Sequence, residues 1–181
     1  DTRFGLELVD VTEIFEDSGF KVFSGAAAGG GSIKCINAKG AGDWSRGDID
    51  KLADFAMEHG AKGMAWIAFT ADGNVKSAIK KFLSDEELDA LRAAAEVEPG
   101  DLVVFAADDT DVVHEVLGAV RLHLADLLAI ERTGHDFLWV VNFPLFHWDE
   151  DRKAYAAEHQ PFTLPIETDI AKIEADPLAA G

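Results

Sequence analysis

Apolar positions along the chain recur with two different periods, and each change of period marks a predicted element. Residues 4–11 (FGLELVDV) alternate enough for a short strand or an extended segment. Asp10 or Thr12 is placed to cap a short helix over Glu13–Asp17 that ends at Gly19. Phe20–Ser24 (FKVFS) and Ser32–Ala38 (SIKCINA) both alternate, and the flexible tract Gly25–Gly31 (GAAAGGG) between them predicts an antiparallel hairpin. A helical period opens at Ser45, with Ile49, Leu52, Phe55, Ala56 and Met57 on its inner side, and closes at Gly60 with His59 in the last turn. Met64–Thr70 (MAWIAFT) predicts a strand, Ala71–Asn74 (ADGN) a turn, and Val75 a short return.

Ser84 and Glu87 form a capping-box sequence that opens a helix to about Ala95, stopped by Pro99-Gly100. Leu102–Ala106 (LVVFA) is apolar at every position, which predicts a central strand. Thr110 or Asp111 caps the longest helix, to about Ile130, with Val112, Val113, Val116, Leu117, Val120, Leu124 and Leu127 spaced at three and four. Thr133-Gly134 breaks it. Phe137–Phe146 predicts a further strand, with Pro144 marking a bulge or an end, and Thr168 caps a last helix over Asp169–Glu174. Hairpins mixed with helices predict an α+β fold, a two-layer sandwich of a mainly antiparallel sheet with helices. Residues 1–12 and 137–165 have no evident partner inside that module, the pattern of a domain inserted between two parts of another.

Composition changes this picture little, and charge changes it more. The chain is 48% apolar with a mean hydropathy of +0.02, and no apolar run approaches the roughly 18 residues that cross a bilayer. The first residues, DTRFGLELVD, lack a signal-peptide pattern and an initiating Met, as expected of a mature product or an excised piece. Cys35 is the single cysteine, which precludes an internal disulfide and fits a reducing cytoplasm. A net charge of −18 disfavours a strong hold on nucleic acid, since that grip comes from Lys and Arg, and Lys76, Lys80 and Lys81 are a modest cluster.

Candidate chemistry is sparse. The Gly25–Gly31 tract has neither the Lys-Ser/Thr of a P-loop nor G-x-G-x-x-G. The histidines at 59, 114, 123, 135, 147 and 159 form no metal-binding spacing, and Cys35 is expected to be a small core hydrophobe. Asp85-Glu86-Glu87 and Asp149-Glu150-Asp151 fit a helix start and a solvated turn better than a catalytic carboxylate pair. His159 stands before Gln160-Pro161, and a proline holds the preceding backbone extended. The residues alone leave it either a presented binding group or a surface-loop histidine.

Three stretches carry a family resemblance that covers essentially the whole chain. FLWVVNFPLF…EHQPFTLP resembles bacterial aspartyl-tRNA synthetases, DTRFGLELVDVTEIF is similar to a segment of the same family, and SIKCINAKGAGDWSRGDIDKLADFAMEHGAKGMAWIAF resembles its GAD insertion domain. The resemblance implies an interior fragment: residues 1–14 from the class II catalytic core, 15–133 the GAD/DCoH-like insertion, and 134–181 the return into the core. By position, His159 matches the histidine that contacts the substrate aspartate, with Gln160, Phe162 and Thr163 forming its loop. Asn142 and His147 depart from the family pattern, which has an acidic residue at each place.

The resemblance also implies ATP and Mg as cofactors, and tRNA and L-aspartate as partners, of a homodimeric, cytoplasmic parent. The OB anticodon domain, the F-R-D-E loop and the Gly-rich arginine segment of the family lie outside this sequence. The fragment is therefore expected to hold no catalytic residue, no metal and no bound cofactor, to bind nucleic acid weakly, and to meet no membrane. The alternatives are a non-catalytic GAD interaction module, as in tRNA-dependent amidotransferases, and a generic ligand-binding α+β domain.

Overall fold

Strand β5, Leu102–Asp108, lies at the centre of a five-stranded sheet. The computed structural model describes residues 1–139, 145–149, 151–158, 173 and 175–179, and separates into two units, Asp1–Gly134 and His135–Gly181. In the first unit β1 (Val9–Asp10), β2 (Ser32–Ala38), β5, β3 (Ala65–Phe69) and β4 (Val75–Lys76) are neighbours in that order. Every pairing is antiparallel, with Cys35 opposite Phe105 and Ala65 opposite Phe105 on the other side.

The α+β class and the antiparallel sheet agree with the sequence, but the layer count does not. Helices α3 (Arg46–Glu58) and α5 (Thr110–Leu127) cover one face, packing on Ile36, Ala38, Leu102, Val104 and Ala106. Helices α1 (Thr12–Phe15), α2 (Lys21–Ala28) and α4 (Asp85–Ala94) supply the other core, with Ile33, Cys35, Ile67, Val103 and Phe105. The arrangement is helix–sheet–helix. Burial on both faces is why LVVFA is apolar at consecutive positions.

The predicted hairpin over residues 20–38 is replaced by helix α2 followed by strand β2. Over five residues, F-K-V-F-S fits either period, and the following alanines, strong helix formers, decide for the helix. Phe23 is buried with its ring 5.1 Å from Phe15 and 5.4 Å from Phe105. The glycines after α2 end the helix: Gly29 accepts the cap position, and a Cβ at Gly31 would lie 2.3 Å from the Asp108 carbonyl oxygen. Two polar residues of β2, Lys34 and Asn37, are partnered on opposite faces. Lys34 Nζ is 2.8 Å from His114 Nε2, and Asn37 Nδ2 donates to the Ala95 carbonyl at 3.0 Å.

Residues 1–12 also find a partner, contrary to expectation, since β1 pairs with β2 and the Val11 N–H donates to the Ile33 carbonyl at 2.9 Å. Asp10 accepts from the Thr12 N–H and hydroxyl at 3.0 and 2.7 Å, ordering the start of α1. Helix α3 is capped by Ser45, and α4 carries the full Ser84–Glu87 capping box. Met57, expected inward, is exposed. The N-cap of α5 is Asp109 rather than Thr110 or Asp111, and it makes no side-chain cap bond.

In the second unit β6 (Phe146–Asp149) and β7 (Ala154–Ala157) form a hairpin, closed by Asp149 accepting from the Asp151 and Arg152 N–H groups at 3.0 and 2.9 Å. Phe137, Leu138 and Trp139, expected in a strand, are not in one, and the Phe137 and Trp139 side chains are exposed. The rest of that predicted strand before Leu145, and the helix over Asp169–Glu174 apart from Ile173, lie outside the described residues.

Two predictions test the double-faced core. Asp101 is 4% exposed and accepts from the Gly40 N–H at 3.0 Å, Asn37 Nδ2 at 3.1 Å and the Glu98 N–H at 2.9 Å. Asp101→Ala leaves the Gly40 and Glu98 N–H groups without this acceptor and lowers stability by about 3 kcal/mol, read as a fall in the urea midpoint at constant slope. Burial, reinforced by the Asp10 carboxylate, pushes the Cys35 thiol up to about 12. The unfolded thiol ionises at about 8.5, so above that pH the unfolded chain loses a proton that the folded chain keeps. Stability therefore falls with rising pH by up to about 1.4 kcal/mol per pH unit from this group. Cys35→Ala removes that part of the slope in denaturation series run between about pH 8 and 10.

Candidate functional site

His159, with Gln160, Phe162 and Thr163, lies outside the described residues, as does Asn142. The chain leading up to it is described. The Glu158 N–H donates to the Leu145 carbonyl at 3.0 Å, and the Glu158 carboxylate pairs with His147 Nδ1. His147, one of the two departures from the family pattern, thus has an acidic partner just past the end of the strand that faces its own. The arrangement ties residue 158 to the start of β6 and sets the register of the hairpin, whose Trp148 and Tyr155 rings meet edge-on at 5.1 Å.

The other sequence candidates occupy structural positions. His59 and His123 flank the Phe55 ring at 4.3 and 4.1 Å, and His59 Nδ1 lies 2.9 Å from the Phe55 carbonyl. Glu87 is engaged in the capping box of α4, which removes it from any carboxylate pair. Among the described residues no group of three His, Cys, Asp or Glu side chains could hold a metal ion, and no helix is long and apolar enough to cross a membrane.

A cavity of about 760 Å³ opens where β3 begins, because β5 continues past Phe105 while its neighbour does not. Phe23 and Ile79 line it from one core, Val113 and Val116 from the other. Several of its polar side chains are engaged. Lys62 Nζ is 2.8 Å from the Asp108 carboxylate, Arg46 bonds Asp50 at 2.7 Å and lies over the Trp66 ring, and the Ser77 hydroxyl donates to the Trp66 carbonyl at 2.6 Å. The Lys62 hydrogen bond and the Asp109 N–H hold the Asp108 carboxyl below its ordinary range, so the pair stays ionised near neutrality. The site can accept apolar surface.

A third cluster joins the two ends of the first unit. Arg121 of α5 donates from Nη2 to the carbonyls of Asp1 and Gly5 at 2.7 and 2.5 Å, and from Nε to that of Leu6 at 3.0 Å. Its guanidinium lies 4.1 Å from the centre of the Phe4 ring, and that of Arg132 lies 4.9 Å from the same ring. Arg3 Nη1 reaches the carbonyls of Arg132 and Gly134 at 3.5 and 3.3 Å. Nothing in the local sequence announces this cluster, since the Arg121–Leu6 bond joins residues 115 apart. The one hint is the isolated basic residue in an otherwise apolar stretch of helix.

The comparisons with known proteins fit these two parts of the chain. The sequence profile of the GAD domain matches residues 23–117, the body of the sheet with α2 to α5. A protein of Lachnoclostridium phytofermentans named aspartate–tRNA(Asp/Asn) ligase is 48% identical over 178 residues, which is 98% of this chain and 30% of that protein. A protein of the same name from Geobacillus sp. is 50% identical over 179 residues, and an aspartate–tRNA ligase of Agathobacter rectalis is 48% identical over 178, with the same coverage. The chain spans about 30% of the length of the curated relatives it matches. With more than half of its residues in the matched profile, built on a sheet covered by helices on both faces, the chain belongs to the GAD domain family.

Proposed function

We propose that the chain is the interior part of an aspartate–tRNA ligase, in which residues 15–133 are an insertion and residues 1–14 and 134–181 belong to the catalytic core. The observation that carries this reading is the reach of the identity. It extends over 98% of the chain, well beyond residues 23–117, into segments that a free GAD module has no use for. The same reach speaks against the amidotransferase-type module. The parent reaction joins aspartate to ATP, releasing pyrophosphate, and passes the aspartyl group from the adenylate to tRNA.

In this reading His159 contacts the aspartate carboxylate, an interaction an imidazole supports by donating a hydrogen bond. The His147–Glu158 pair and the Leu145 bond fix the residue that precedes it. Residues 1–14 serve both partners: they come from the core, and through Val9 and Asp10 they also complete the sheet of the insertion. ATP and Mg belong to the parent, and the described residues offer no set of three ligands for the metal. The parent is proposed to be a cytoplasmic homodimer.

The fragment alone is expected to show no aspartate-dependent exchange of pyrophosphate into ATP, and robust exchange in the purified chain would overturn the assignment. A filter-binding titration should find weak tRNA binding, given the net charge of −18, and a tight, salt-sensitive complex would contradict it. In the full-length ligase His159→Ala raises the KM for aspartate by more than that for ATP; equal effects would remove the assigned role.

A further inference from the structure

The sheet of the first unit is incomplete on one side of its central strand. The ladder between β3 and β5 ends with Ala65 opposite Phe105, while β5 runs on to Asp108. The Asp101 carbonyl accepts from the Phe69 N–H at 2.8 Å and so points toward β3. Main-chain groups alternate in direction along a strand, which turns the N–H and C=O of Ala107 to the same side. Continued by two residues, the register would set Gly63 opposite Ala107, yet residues 61–64 form no strand. Among the described residues no main-chain bond reaches Ala107 from that side. A Cβ built on Gly63 would meet nothing within 4 Å.

The cavity of about 760 Å³ lies along this missing rung and is walled from both faces of the sheet. Phe20, Phe23 and Ile79 line it on the face that Ala107 shares, and Met64, Val113 and Val116 line it on the other. An extended peptide has the matching form. A residue set opposite Ala107 offers it a C=O and an N–H, and sends its side chain toward Phe20, Phe23 and Ile79. The residues before and after it turn theirs toward Val113 and Val116. Charge adds a preference. Asp108 and Asp109 stand at the rim, and Asp1–Gly134 carries 25 Asp and Glu against 13 Lys and Arg, a net charge of −12. Basic residues flanking the apolar stretch complement that field.

We propose that β5 takes an added strand at Ala107: an extended peptide of a partner protein, apolar at three consecutive positions and flanked by lysine or arginine. The added strand supplies the missing rung and fills the cavity from both sides of the sheet. Its main-chain bonds give affinity, and the two apolar walls select alternate side chains. The site lies wholly within the first unit and is independent of the ligase reading.

The probe is a fluorescein-labelled, amidated peptide, Lys-Thr-Val-Leu-Val-Thr-Lys, titrated into the 181-residue chain and followed by anisotropy. Hydrogen exchange of the Ala107 amide is read by NMR with and without it. The proposal predicts saturable binding and an Ala107 amide that exchanges fast in the free chain and slowly in the complex. N-methylation of the central leucine removes one main-chain bond and weakens binding about tenfold. Two variants of the chain probe the same site. Ala107→Pro removes the donor where β5 has no strand partner, a place proline tolerates. Gly25→Leu adds bulk at the cavity wall and favours α2, since leucine is the better helix former. Each weakens binding about tenfold, and glutamates in place of the peptide lysines weaken it most at low salt. An absence of saturable binding would overturn the proposal. So would binding indifferent to N-methylation and to Ala107→Pro, which marks a cavity for small apolar molecules. An Ala107 amide protected in the free chain would seat a segment of this chain there, and a dimer dissociated by Gly25→Leu would seat a second copy; either result excludes the partner peptide.

Discussion

The first unit depends on a strand that is buried on both faces. Leu102, Val104 and Ala106 look into one core and Val103 and Phe105 into the other, so neither helical layer can form without the same seven-residue strand in place. Each core alone is small: α3 and α5 contribute one, α1, α2 and α4 the other. Sharing β5 makes them a single cooperative body, and it also makes the strand intolerant of polar substitution at consecutive positions. Its flanks are then specified by register, with β2 along its whole length and β3 along only part of it. The shortfall of β3 creates the cavity beside Ala106–Asp108. In that space Lys62, Asp108, Arg46 and Ser77 are already engaged.

The sequence was most informative where a single residue type decides the local outcome. Ser45 and Ser84 begin helices because their hydroxyls satisfy the first free N–H groups, and Glu87 completes the second cap. LVVFA and MAWIAFT announce strands with two apolar faces. The readings failed where two periods compete over a few residues, as in F-K-V-F-S, or where the pairing is not local. Alternation in SIKCINA suggested a hairpin neighbour, yet its partners are β5, about seventy residues away, and β1, which the pattern assigned to nothing. The β7 segment, AYAA, carries no periodic signal at all, and the hairpin that contains it is held by Asp149 and by the His147–Glu158 pair.

The candidate site was legible in a different way. His159 gained a role from the family resemblance, and its own chemistry left it a loop residue. The structure adds the anchoring of Glu158 immediately before it. The arginine cluster around Phe4 left only the isolated Arg121 as a trace in the sequence, because its physical basis is main-chain carbonyls, which carry no residue code. Interactions of this kind link residues far apart in the chain without leaving a motif.

The central claim, that this chain is the interior of an aspartate–tRNA ligase folded on its own sheet, is tested most directly by exchange of parts. The matching 30% of the Geobacillus ligase would be replaced by these 181 residues, and the chimera assayed for attachment of aspartate to tRNA. The account predicts a folded chimera that aminoacylates within about tenfold of the Geobacillus enzyme, a cost of about 1.4 kcal/mol. A folded chimera that forms no aspartyl-tRNA would contradict it.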